Sequence, residues 1–283
     1  AAFFMEGAAW SADPSGNHTA KLEETIKPCG KTDASVIEWN WILKDFPRAA
    51  VQKEKPRQRQ STTTAAGRKT KEIDHMLDEL IKRYPILERV REDIGAVYGI
   101  LERCYENGGK LLIAGNGGSA ADAEHIVGEL MKGFVKRRPV TEEMKEALEK
   151  ADPVRGKELS EKLQGGLPAI ALVDHAALST AFANDVDGML SYAQQVNGYG
   201  KPGDVFLGIS TSGNAENVMY AAVTAKAKGM KVVGLTGKDG GKLAGIADAA
   251  VIVPEMETYK IQELHLPVYH ALCLMLEHRF YEQ

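Results

Sequence analysis

Cysteine is scarce in this 283-residue chain, and neither sign of charge dominates it. Only Cys29, Cys104 and Cys273 are present. Odd in number and far apart, they build no disulfide framework and point to reduced thiols in the cytosol. Aromatic residues make up 7%, and all three tryptophans (Trp10, Trp39 and Trp41) fall in the first 41 positions. Thirty-five Lys and Arg against 39 Asp and Glu leave a net charge of -4, so nothing draws the chain as a whole toward nucleic acid or an anionic membrane. No run approaches the roughly 18 apolar residues that span a bilayer, and no basic–apolar–small signal pattern opens the chain. The expected location is therefore cytoplasmic. Hydrophobic residues at 44% and charged residues at 26% fit a globular protein and exclude wholesale disorder or a collagen-like fibre. At roughly 150 residues per domain, the length allows one large domain or two modest ones.

Glycine, by contrast, is plentiful: 28 residues, many just after apolar runs, as in a strand–loop–helix protein with ligand-binding loops. Residues 35–46 have the spacing of one short helix, with Ile37, Trp41 and Ile42 on one side. Residues 52–71 hold seven Lys or Arg, one Glu and almost nothing apolar, so that run buries too little surface to offset its ordering entropy. Residues 1–71 are accordingly expected to be a poorly structured N-terminal segment ending in a basic linker, and 72–283 the folded domain. From Glu72, Ile73, Met76, Leu77, Leu80 and Ile81 mark a helix face that Pro85 interrupts. Val90, Ile94, Val97, Leu101 and Cys104 continue the spacing until Asn107-Gly108-Gly109. Strands are expected at 111–114, 168–173, 205–209, 231–235 and 249–253, with helices at 119–132, 214–228 and 258–281. Five buried strands separated by helices predict a parallel, doubly wound α/β sheet with ligands at the carboxyl ends of its strands.

Two loops at such strand ends are suited to a phosphate. Gly115-Asn116-Gly117-Gly118-Ser119-Ala120 opens the helix after the first strand, where free N–H groups and the positive helix end favour an anion. It matches neither GxxxxGK[ST] nor the dinucleotide spacing GxGxxG. Ser210-Thr211-Ser212-Gly213-Asn214 follows a second strand, and its three hydroxyls donate to phosphate oxygens without adding charge. Thr236-Gly237-Lys238-Asp239-Gly240-Gly241 forms a third turn that needs only a structural role.

His125 and Glu129 stand four apart on one helix face. That spacing serves a divalent metal, a carboxylate base beside an imidazole, or an ordinary surface pair. The closing helix adds Gln262, Glu263, His265 and His270. Gln262 and His270 are separated by roughly 12 Å along a straight helix, so one ion touching both needs long reaches, a kink at Pro267, or side chains from different subunits. His265 has a plain packing or hydrogen-bonding reading.

Taken together, GNGGSAADAEH at 115–125, Asn184-Asp185, STSGN at 210–214 and IQELH at 261–265 with His270 resemble the phosphoheptose isomerases of the sugar-isomerase (SIS) domain family. The resemblance runs from about Glu72 to the end. It implies an SIS-type three-layer sandwich, with a five-stranded parallel sheet between helices and a long N-terminal helical segment ahead of it. It further implies a homotetramer with active sites shared between subunits. The activity implied is aldose–ketose isomerisation of D-sedoheptulose 7-phosphate to D-glycero-D-manno-heptose 7-phosphate through an enediol, the first step of ADP-heptose or GDP-heptose synthesis. Glu129 matches the base and His270 its acid/base partner. His125, Glu129, Gln262 and His270 match a zinc site, one ion per subunit. Asn116, Gly117, Gly118, Ser119, Asn184, Asp185 and Gln262 match sugar contacts, and Ser210, Thr211 and Ser212 match phosphate contacts. Ala215 stands where many relatives carry a further serine, and 136–166 is longer than usual, with a charged helical stretch at 142–150 that reads as a lid, a subunit contact or solvated decoration. The rival readings are a non-catalytic SIS module, sensing a phosphosugar or binding a replication initiator, and an isomerase of another phosphosugar. A pure binding module has no need of Glu129, His270, His125 and Gln262 together.

Overall fold

A computed structural model describes residues 63–281, with side chains from Glu72 onward. The 35–46 helix, most of the basic run and Cys29 lie outside the described residues.

Helix α1 (Thr63–Arg83) begins nine residues ahead of the expected boundary at Glu72, so the end of the basic run is helical. Its last turn carries Lys82 and Arg83, which complement the negative end of the helix dipole. Pro85 lacks the N–H that would continue the helix and instead starts a 3₁₀ turn, Pro85–Val90. Helix α2 (Arg91–Glu106) buries Ile94, Val97, Leu101 and Cys104 and stops at Gly108, whose φ of 67° suits glycine.

The sheet follows. Strand β1 (Leu111–Ala114) is buried at all four positions and leads into α3 (Gly118–Met131). An excursion of two helices, α4 (Glu142–Ala151) and α5 (Pro153–Lys162), precedes β2 (Ala169–Ala171). Then come α6 (Ala176–Phe182), a π turn at Ala183–Asp187 and α7 (Ser191–Tyr199). Strand β3 (Val205–Ser210), α8 (Glu216–Ala227), β4 (Lys231–Thr236), α9 (Gly241–Ile246), β5 (Ala249–Ile252) and α10 (Thr258–Phe280) complete the order. The strands lie in the order β2-β1-β3-β4-β5, all parallel. Leu111 is in register with Ala169 on one side and Val205 on the other.

Strand residues alternate between two cores, as the two-residue period requires. Leu111, Ile113, Leu207, Val233 and Val251 face α1, α2, α3 and α10. Leu112, Ala114, Phe206 and Val232 face α7, α8 and α9. The fold is thus the expected three-layer α/β sandwich. Among the described residues no helix is long and apolar enough to cross a membrane. Cys104 and Cys273 are buried free thiols.

The 136–166 segment forms a helical hairpin. Thr141 caps α4 through Met144 N, and the Asp152 side chain caps α5 through the N–H groups of Val154 and Arg155. The helices touch at Gly156, where an added Cβ would lie 2.1 Å from Leu148 O. No residue of α4 is buried. A single antiparallel bridge, Pro139 to Gln164, closes the base of the hairpin.

Candidate active site

Strand order reverses between β1 and β3, so the connections leaving these neighbours diverge and open a crevice at their carboxyl ends. The two sequence-predicted loops flank that crevice. In the glycine loop, Asn116, Gly117 and Gly118 are exposed while Ser119 is buried. Asn116 is held across the crevice by reciprocal amide hydrogen bonds with Asn217 of α8, at 2.9 and 2.8 Å. Tyr192 donates to Gly115 O at 2.8 Å from below. Gln262 lies against Gly118, with Nε2 only 2.6 Å from where a Cβ would stand, so a larger residue there would push the Gln262 amide aside.

The hydroxyl loop is braced by the third turn, whose structural role is therefore explicit. Gly237 N donates to Thr211 O (3.2 Å), Leu243 N to Gly213 O (2.9 Å) and Lys242 N to Asn214 Oδ1 (3.1 Å). Gly213 has φ 66°, and a Cβ there would lie 1.9 Å from Gly240 O, so no side chain is tolerated. Ser212 Oγ accepts from Asn214 N at 3.2 Å, which leaves its hydroxyl proton for a ligand. Ala215 occupies the N-cap of α8 and makes no side-chain cap.

A second station lies two turns along α3. That helix runs beside α10 in the same direction: Gly118 meets Gln262, Asp122 meets Tyr269, and Phe134 N reaches Glu277. Between these points His125 Nε2 is 3.1 Å from Glu129 Oε1, Lys132 Nζ is 3.2 Å from Glu129 Oε2, and Tyr269 OH is 2.9 Å from His125 Nδ1. His270 packs edge-on against His125, ring centroids 5.0 Å apart. Burial lowers the His270 pKa, and His125 lowers it further against the opposing pull of Glu129. Its Nε2 is buried with no hydrogen-bond partner among the described residues. On its far side His270 lines a cavity of about 420 Å³ between α1 and α10, along with His75, Met76, Arg83, Leu266 and Pro267.

The far end of α3 is clamped by a buried ion pair. Arg138 Nε donates to Glu277 Oε1 at 2.8 Å, while its terminal nitrogens donate to Leu130 O and Glu129 O at 2.7 and 3.0 Å. Burial alone would raise the Glu277 carboxyl. The N–H groups of Val135 and Phe134 and the Arg138 guanidinium outweigh it and hold the pKa below its ordinary value.

Glu129, His270 and His125 are therefore gathered within one chain. Gln262 is not with them; it belongs to the glycine loop. Among the described residues no group of three or more His, Cys, Asp and Glu side chains is arranged to hold a metal ion. Of the four-residue zinc set, His125, Glu129 and His270 lie together in this chain, whereas Gln262 lies against Gly118. Asn184 and Asp185 lie exposed on the π turn, joined by a 2.8 Å hydrogen bond to each other. His265 is buried and bonds Thr236 O at 3.1 Å, which matches its plain reading. Sequence reasoning missed Asn217, Tyr192, Tyr269, Asp122, Lys132 and Arg138. Of these, Lys132 alone carried a signal, three residues beyond Glu129 on the same helix face.

The SIS domain family model matches residues 79–165 and 158–237 of this chain. A phosphoheptose isomerase from a Nitratiruptor species is 39% identical over 213 residues, 74% of this chain and all of that one. Another from Aneurinibacillus thermoaerophilus is 40% identical over 173 residues, 61% of this chain and 74% of that one. The solved phosphoheptose isomerase of Neisseria gonorrhoeae shares 31% identity with a TM-score of 0.55, over 74% of this chain and 98% of its own.

Proposed function

The chain belongs to the SIS-domain family and, within it, to the phosphoheptose isomerases, and on that premise we propose that it interconverts D-sedoheptulose 7-phosphate and D-glycero-D-manno-heptose 7-phosphate at the crevice and helix pair just described. The observation that carries this reading is the convergence of Glu129 and His270 on His125, near a pair of loops rich in free donors.

Isomerisation moves one proton between adjacent carbons and another between their oxygens. Glu129 takes the C1 proton of the open-chain ketose and returns it to C2, passing through the enediol. His270, neutral because burial holds its pKa down, takes the O1 proton and delivers one to O2. Ser210, Thr211 and Ser212 hold the phosphate, and Asn116, Gly117, Gly118, Ser119 and Gln262 hold the chain between, so remote binding orients the reacting carbons without joining the chemistry. Asn184 and Asp185 close on the sugar from the β2 side. No proton in this scheme passes through a metal; metal analysis of the purified protein, and its rate after chelation, measure what zinc adds.

The apolar cavity between α1 and α10 reaches His270 from outside the chain, and a second copy covering it completes the site in a homotetramer. Light scattering at four times the 30.8 kDa chain mass checks this. The decisive assay incubates the purified chain with sedoheptulose 7-phosphate and follows aldose formation. Absence of turnover under conditions where the protein is folded would remove the assignment.

A further inference from the structure

We propose that Asn217 is a positioning residue for this reaction: its side chain locks the Asn116 amide across the crevice, so that Asn116 meets the sugar with one N–H group, a donor for a hydroxyl or carbonyl oxygen. The proposal rests on the isomerase reading above and on Asn116 as a sugar contact.

Helix α8 starts without the usual cap. Its N-cap is Ala215, which offers no side-chain oxygen, although the first N–H groups of a helix need an acceptor from outside the helix ladder. Asn217, the second residue of the helix, supplies one: its Oδ1 accepts from Val218 N at 3.0 Å. A backbone N–H only donates, so the atom it faces has to be the amide oxygen. That fixes the Asn217 amide. Its Nδ2 then donates to Asn116 Oδ1 at 2.8 Å, while its Oδ1 accepts from Asn116 Nδ2 at 2.9 Å. Turning over either amide alone would set oxygen against oxygen and N–H against N–H. A helix start thus dictates the polarity of a side chain 101 positions earlier.

What Asn116 has left to offer follows by subtraction. Its Oδ1 is engaged by Asn217, and the Tyr192 hydroxyl, which donates to Gly115 O at 2.8 Å, stands 3.4 Å from the same oxygen. One of the two Nδ2 hydrogens is spent on Asn217, and the other has no partner among the described residues. Asn116 is exposed at the crevice, so that hydrogen faces a ligand. The same two bonds tie the loop after β1 to the helix after β3, and so hold the two ligand loops at one spacing.

The test uses two variants with opposite side effects, assayed with sedoheptulose 7-phosphate. Asn217→Asp keeps the acceptor for Val218 and adds a charge that suits a helix start, but sets a carboxylate oxygen against Asn116 Oδ1. Asn217→Ala loses the cap and the clamp and adds no charge. Both should raise KM roughly tenfold with kcat within about twofold. In an Asn116→Ala background either change should move KM by less than about twofold, because its effect passes through Asn116. A rise in Asn217→Ala alone would make Asn217 only a helix cap, and a rise in Asn217→Asp alone would be charge repulsion of an anionic substrate. Each of these overturns the proposal, as does a full effect persisting in the Asn116→Ala background. Should Asn217→Ala fail to fold, that background decides for Asn217→Asp, since charge repulsion persists there and a lost clamp does not. Side-chain amide NMR of the whole chain labelled with ¹⁵N-asparagine gives a reading that needs no turnover. Signals are assigned by their loss in Asn116→Ala. One Asn116 Nδ2 hydrogen should exchange slowly in wild type and quickly in Asn217→Asp, and fast exchange of both in wild type would overturn the clamp. A failed clamp therefore shows in the spectrum, and a failed isomerase reading in the substrate assay.

Discussion

The crevice loops and the α3–α10 helix pair touch at Gly118 and Gln262, yet they are built from opposite materials. The loops offer backbone N–H groups, hydroxyls and amides, and their shape is fixed by close approaches that only glycine permits. The helix pair offers a carboxylate, two imidazoles, a phenol and an ammonium, and its shape is fixed by side chains from positions more than 140 residues apart. Neutral donors suit an anion that must bind and leave. Titratable groups suit a substrate whose protons must move. On the proposed reading one molecule separates holding from reacting, and its two parts should be open to independent damage.

The largest break in that separation should come from Glu129→Gln, which removes the proposed base and leaves the loops untouched. We expect kcat to fall by roughly 10²–10⁴, with bound sugar phosphate still detectable by calorimetry; a near-normal rate would take Glu129 out of the chemistry. Arg138→Met comes next, because it strands Glu277 without its cation under the end of α3. A loss of about 3–5 kcal/mol in urea unfolding is expected, and an unchanged midpoint would show that the clamp is idle. Thr211→Val should act only on holding. A lost hydrogen bond to a charged group amounts to about 1.5–3 kcal/mol, read as a higher KM at constant kcat, and a fall in kcat alone would merge the two regions into one.

The smallest effect concerns His265, which sits where α10 passes the end of β4. Burial pushes its pKa down to about 4, against a hydrogen bond to Thr236 that raises it. The unfolded chain takes up this proton near pH 6.5 and the folded chain only near 4, so stability falls as pH drops between those values. The first unit below 6.5 removes about 1 kcal/mol. His265→Gln should flatten that slope in thermal melts, and an identical slope would assign it to other groups.

The same division explains what the sequence disclosed. The sheet was legible because buried strands are short apolar runs: 111–114 coincides with Leu111–Ala114, and 231–235 misses β4 by one residue. The loops were legible because glycines and hydroxyls in sequence are neighbours in space. The start of α1 was not. Ala, Arg and Lys favour helix by propensity alone, without the apolar spacing that marks 73–81. Helices α5, α6, α7 and α9 are too short, or too polar, for a periodicity to show. Asp122 and Tyr269 escaped because nothing local ties a helix N-terminus to a residue 147 positions later. The neighbour of Gln262 was not legible either, because α10 carries it against Gly118, on a loop more than 140 positions earlier.

The base of the α4–α5 hairpin has one more consequence. Its two ends are already joined, Gly165 N to Arg138 O at 2.6 Å and Gly133 N to the Gln164 side chain at 2.7 Å, before any residue of the excursion is counted. The sheet therefore cannot feel how long the excursion is. Evolution could lengthen, shorten or exchange that cassette without renegotiating the fold, and a protein engineer looking for a place to graft a tag has the same freedom.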